Sequence, residues 1–129
     1  MADDRNTLLV VEDEVLIRQL AVMALEETGA RVVEAADVDE AMALLDGMDD
    51  LAALVSDVQM PGHRDGVDLA TIVKDMFPNC VIVLTSGRQL PTDRSIPDGT
   101  LYLGKPWSPE RLAEVVSGEL GGNTAAVTV

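Results

Sequence analysis

Five short apolar runs punctuate the chain: TLLVV (7–11), RVVEA (31–35), LAALVS (51–56), CVIVLT (80–85) and TLYLG (100–104). Longer segments of helical character alternate with them, the pattern of a parallel sheet covered by helices on both faces. Leu16, Leu20 and Met23 recur at i, i+4 and i+7, and Leu69, Ile72, Val73 and Met76 at i, i+3, i+4 and i+7. Each set is expected to form one buried stripe. Asp37 followed by Glu40 reads as a capping box ahead of AMALLDG, and Ser108-Pro109 supplies a cap and a first-turn proline before Leu112, Val115 and Val116.

One connection breaks the alternation. Between the fourth and fifth runs lies SGRQLPTDRSIPDG (86–99), with prolines at 91 and 97. Proline inside a helix costs about 3 kcal/mol, so the segment is predicted to hold one or two turns at most instead of a full fourth helix. The terminal GGNTAAVTV carries no stripe and reads as a frayed tail. The expected organisation is a short tail at 1–6, one domain at 7–120 and a flexible tail at 121–129. An initial methionine and a length suited to one domain lead us to expect a complete protein.

Composition narrows the functions. A formal net charge of −14 opposes broad contact with nucleic-acid phosphates or an anionic membrane. A single cysteine, Cys80, excludes an internal disulfide and reads as a small buried hydrophobe at the opening of a strand. No apolar run approaches the roughly 20 residues of a membrane span, and MADDRNT lacks the order of a signal peptide. A cytoplasmic location is the simplest expectation.

Candidate chemistry sits at the strand ends, because ligands of open α/β sheets bind beyond the carboxyl edge. The first run leads into Glu12, Asp13 and Glu14; the third ends at Asp57, the fourth at Thr85 and Ser86, and the fifth is followed by Lys105. Two carboxylates about 5 Å apart repel by roughly 3 kcal/mol at an effective dielectric near 20, and a third adds to the cost. Raised pKa values or a bound cation relieve it. Hard carboxylate oxygens beside a backbone carbonyl suit Mg²⁺, which keeps several waters and completes its shell with phosphoryl oxygen.

The ordered set LLVVEDE, LVSDVQMPG, DGVDLA, VIVLTSG and LYLGKPW resembles the receiver domains of two-component response regulators, from about Thr7 to Leu120. The resemblance implies a doubly wound, flavodoxin-like fold with five parallel strands in the order 2-1-3-4-5, here with a shortened or irregular fourth helix. It implies that Asp57 accepts a phosphoryl group from the phosphohistidine of a sensor histidine kinase or histidine phosphotransfer protein. Glu12, Asp13, Asp57 and the backbone carbonyl of Gln59 are then the Mg²⁺ ligands, with Glu14 solvated. Lys105 pairs with Asp57 and the phosphoryl oxygen, Thr85 is the switch hydroxyl, and Tyr102 is the aromatic that moves with it. A cis Lys105-Pro106 bond is implied as well. The module would then regulate a partner protein or pass the phosphoryl group along a relay, acting as an enzyme only on its own phosphorylation and slow dephosphorylation.

Two departures stand out. MPGHRDG carries an extra residue relative to the commoner MPGMDG, and His63, the sole histidine, reads as part of an exposed loop and not as a relay donor. The proline-bearing segment removes the usual fourth helix from the signalling face, leaving Trp107 as a lid or a partner contact. Competing readings are a receiver-like adaptor that has lost phosphorylation and an aspartyl-nucleophile phosphatase. The latter wants a second acid where this chain has Gln59, which cannot donate the proton. A flavodoxin-like cofactor carrier is opposed by EDE after the first strand, where phosphate binding calls for glycines and hydroxyls.

Overall fold

A computed structural model of the chain describes residues 6–91 and 93–120. The expected carboxyl-terminal tail, and the amino-terminal one apart from Asn6, lie outside the described residues. Five strands, β1 (Thr7–Val11), β2 (Arg31–Ala35), β3 (Ala53–Asp57), β4 (Val81–Ser86) and β5 (Leu101–Gly104), form one parallel sheet in the order 2-1-3-4-5. The helices are α1 (Val15–Glu26), α2 (Val38–Leu45), α3 (Gly66–Met76) and α4 (Pro109–Leu120).

Alternation along the strands builds two cores. Leu9, Val11, Leu54, Ile82 and Leu84 face α2 and α3, while Leu8, Val10, Val55 and Val83 face α1 and α4. The strands are apolar on both faces because both are covered. Cys80, buried just before β4, has its thiol pushed up to about 12 by desolvation, so it stays a neutral thiol.

The helix starts follow local chemistry. Asp37 accepts from the Glu40 N–H at 2.8 Å, and Glu40 reaches back to the Ala36 N–H, one residue beyond the cap. Ser108 Oγ accepts from the Arg111 N–H at 3.0 Å, and Leu112, Val115 and Val116 are fully buried as expected. Asp65 and Asp68 form a reciprocal capping box at α3.

Two stripes require correction. On α1 the buried residues are Ala21, Val22, Ala24 and Leu25, whereas Leu16, Leu20 and Met23 are 75%, 49% and 63% exposed. VLIRQLAVMALE is apolar on more than one row, and the row bearing Ala21, Ala24 and Leu25 is the one that is buried. On α3, Leu69 and Val73 are buried with Val67 and Ala70, but Met76 at the final turn is exposed.

Between β4 and β5 the described residues contain no helix. The crossover lies on the α2 and α3 side, where Leu90 and Ile96 pack partly buried against the core. Both prolines fall within it, consistent with their cost to a helix.

Candidate functional site

The carboxyl ends of the strands bring the acids together. Asp57 is paired with Thr85, and Val11, the residue before Glu12, with Ser56. The Glu12 N–H donates to Ala35 O at 3.1 Å, fixing the exit of β1. Glu12, Asp13 and Asp57 each bring a carboxylate oxygen within 4.8 Å of the others, with Glu12 and Asp57 buried and Asp13 exposed. Glu14 is exposed at the start of α1, and its N–H donates to Glu12 Oε2 at 3.1 Å.

Lys105 enters from the end of β5. Its Nζ donates to Glu12 Oε1 at 2.9 Å and to Asp57 Oδ2 at 3.1 Å. Its own burial opposes the charge, but the hydrogen bonds to Glu12 and Asp57 and their negative charge outweigh it, holding the ammonium above the ordinary lysine range. For Glu12, burial is the dominant influence. Aided by the charge of Asp57, it keeps the carboxyl above its usual range despite hydrogen bonds from Lys105 and the Glu14 N–H. Two of the three carboxylates, Glu12 and Asp57, thus meet the Lys105 ammonium, and the hard oxygens of all three at this spacing fit a small divalent cation.

The surrounding backbone is equally specific. The Gln59 N–H donates to Asp57 Oδ1 at 3.3 Å, and Gln59 Oε1 accepts from Ser86 Oγ at 2.9 Å. Thr85 is buried and lines a small cavity with Glu12, Asp57, Ile17 and Trp107. Trp107 and Ile17 also wall an apolar groove of about 390 Å³ on the outside, beside Leu20 and Pro106. The Lys105-Pro106 bond is cis. Tyr102 Oη lies 3.1 Å from Ser86 O and 2.5 Å from Arg88 O, so its hydroxyl holds the start of the crossover. His63 is exposed in the β3–α3 loop and lines a surface pocket with Asp37, Asp39 and Arg64.

Three residues escaped the sequence reading. A Cβ on Gly66 would lie 2.1 Å from Asp57 O, so only glycine lets the start of α3 rest on the acceptor backbone. The Asp-Gly pair before an apolar run was the available signal. Arg18 Nη1 donates to Glu12 O at 2.9 Å and Arg18 Nε to Glu34 Oε1 at 2.9 Å, bracing the end of β1. Arg94 reaches Asp65 and Asp68 from the crossover, across a separation no local pattern announces.

Solved structures share this architecture. A receiver domain from the hybrid histidine kinase CckA is 32% identical with a TM-score of 0.76, over 89% of this chain and 99% of that one. A response regulator receiver protein from Sinorhizobium medicae shares the fold at a TM-score of 0.83 and 24% identity, over 93% of this chain and 98% of that one. Fold and acidic edge together define a receiver, the module through which two-component systems signal. A family profile described as the response regulator receiver domain matches residues 8–117, and the chain belongs to that family. Relatives include the sensor kinase CckA of Brucella abortus, 34% identical over 85% of this chain and 12% of that protein. The transcriptional regulatory protein ResD of Bacillus subtilis is 35% identical over 84% of this chain and 45% of its own length. The chain thus spans less than half of each of these relatives. Among the described residues, no helix is long and apolar enough to cross a membrane.

Proposed function

We propose that the protein is a phosphorylation-controlled signalling module in which Asp57 accepts a phosphoryl group from the phosphohistidine of a sensor kinase or phosphotransfer protein. The observation that carries this reading is a buried carboxylate, Asp57, held 3.1 Å from Lys105 in a cluster with Glu12 and Asp13. A carboxylate oxygen of Asp57 attacks phosphorus, the P–N bond to the donor imidazole breaks with its electron pair leaving on nitrogen, and an acyl phosphate remains. Bound Mg²⁺ would supply positive charge to the phosphoryl oxygens. Glu12, Asp13, Asp57 and the backbone carbonyl of Gln59 would hold it. Lys105 supplies positive charge as the transition state spreads negative charge over oxygen. Thr85 donates its hydroxyl to the new phosphoryl group, and Tyr102 follows the β4 end that its hydroxyl grips.

The exposed row Val15, Leu16, Leu20 and Met23 on α1, which meets the groove at Leu20, supports docking by the helices that display such a histidine. A donor charged from nucleoside triphosphate places the exchange in the cytoplasm. The residues 7–120 suffice for it, and the chain catalyses only gain and slow loss of its own phosphoryl group. Incubation with a phosphorylated histidine-kinase core tests this reading. The wild-type protein takes up label in the presence of Mg²⁺ and Asp57→Asn takes up none; labelling of Asp57→Asn contradicts the assignment.

A further inference from the structure

The end of β4 and the crossover that follows it grip the acceptor loop at both of its ends. At the near end, Ser86 Oγ donates to Gln59 Oε1 and accepts from the Arg88 N–H at 3.0 Å, while the Gln59 N–H points to Asp57 Oδ1. At the far end, Arg94 Nη1 donates to Asp65 Oδ2 at 2.5 Å and Nη2 to Asp68 Oδ1 at 2.7 Å.

Those two carboxylates are the capping box of α3. Asp65 Oδ1 accepts from the Val67 and Asp68 N–H groups, and Asp68 Oδ2 accepts from the Asp65 N–H. Each carboxylate therefore gives one oxygen to the helix cap and the other to Arg94. The next residue, Gly66, donates its N–H to Val58 O at 2.9 Å and packs directly on Asp57 O. One guanidinium fork thus fixes the two acids that orient the helix start on which the Asp57 backbone rests.

We propose that Arg94 is a positioning residue for Asp57, coupling the non-helical crossover to the acceptor site; this rests on the reading of Asp57 as phosphoacceptor. The coupling is reciprocal: whatever binds at Asp57 tightens the clasp, and whatever loosens the clasp weakens binding at Asp57. A helix would hold its course by its own backbone ladder. This crossover depends on side-chain tethers, which makes it the segment able to report the state of the acceptor.

Titration with beryllofluoride and Mg²⁺, followed by calorimetry and by Trp107 fluorescence, tests the coupling. Arg94→Gln raises the apparent Kd about three- to tenfold, and Arg94→Lys, which keeps the charge without the fork, falls between it and wild type. Arg64→Gln, which breaks the exposed pair between the β3–α3 loop and Asp39 of α2, leaves Kd unchanged. An ion pair with only a structural role would lower the melting temperature of Arg94→Gln without moving Kd. An unchanged or tighter Kd for that variant overturns the inference, whereas absence of binding by the wild type overturns the phosphoacceptor reading itself. Should Arg94→Gln fail to fold, amide exchange in the wild type decides. The N–H groups of Asp65, Val67 and Asp68 exchange more slowly with beryllofluoride bound if clasp and site are coupled, and unchanged exchange there refutes the coupling.

Discussion

Two connections cover the same face of the sheet in different ways. From β3 to β4 the chain runs through α3, whose Val67, Leu69, Ala70 and Val73 are buried and whose backbone is fixed by a helical ladder and a cap. From β4 to β5 the described residues form no helix; they offer Leu90 and Ile96 as partly buried contacts and rely on Arg94 and Tyr102 as tethers. The first connection is stabilised by burial summed over many atoms, and the second by a few directional contacts. A ladder resists small perturbations of any single residue; a tethered strap responds to the loss of one tether.

Truncation of equivalent leucines separates the two most widely. Leu69→Ala in α3 lowers unfolding free energy by about 2–5 kcal/mol in urea titrations. Leu90→Ala in the crossover costs less, about 1–2 kcal/mol, since its side chain is only partly buried against the core. Equal losses would erase the distinction. Gly66→Ala comes next, at about 1–3 kcal/mol, because its methyl group meets Asp57 O and the acceptor loop must shift. It also reduces phosphoryl uptake, which Leu90→Ala does not.

Smaller effects sharpen the picture of the strap. Tyr102→Phe removes the hydroxyl that reaches Ser86 O and Arg88 O, costing about 1 kcal/mol and speeding amide exchange across Gly87 to Leu90 with little change in α3. The clasp itself has a pH signature. Burial of Asp65 raises its pKa, but the Arg94 hydrogen bond and charge, with the backbone donors of Val67 and Asp68, overcome this and leave the folded value below the ordinary one. The folded state then binds fewer protons than the unfolded state, so the contribution is complete above the unfolded aspartate value near 4 and fades as pH falls through the lowered folded value. In urea titrations, the small stability gap between wild type and Arg94→Gln is constant from pH 7 to about pH 5 and closes toward pH 2. A gap that widened on acidification would place the stabilising charge elsewhere.

Strand positions and the convergence of Glu12, Asp57, Thr85 and Lys105 at one sheet edge were legible because they follow from local periodicity and from the rule that sites lie at strand carboxyl ends, whereas the sheet order was legible only through the resemblance to receiver domains. That the crossover after β4 holds no full helix among the described residues was legible because proline acts through its own backbone, though the one or two turns that the sequence still allowed are not formed there. The inward row of α1 was not. Leu16, Leu20 and Met23 carry as strong a helical period as Ala21 and Leu25, and only the sheet decides which row it accepts. Arg94 was hidden for a different reason: its partners Asp65 and Asp68 lie 29 and 26 residues away, and an arginine among prolines announces nothing about what it will reach.

Peptide mapping after borohydride trapping of the phosphorylated protein tests the central claim most directly, since reduction of an acyl phosphate marks the residue that carried it. The modification falls on Asp57, requires Mg²⁺ and disappears when the metal is chelated. A mark on Glu12 or Asp13, or one formed equally well in chelator, would contradict the account.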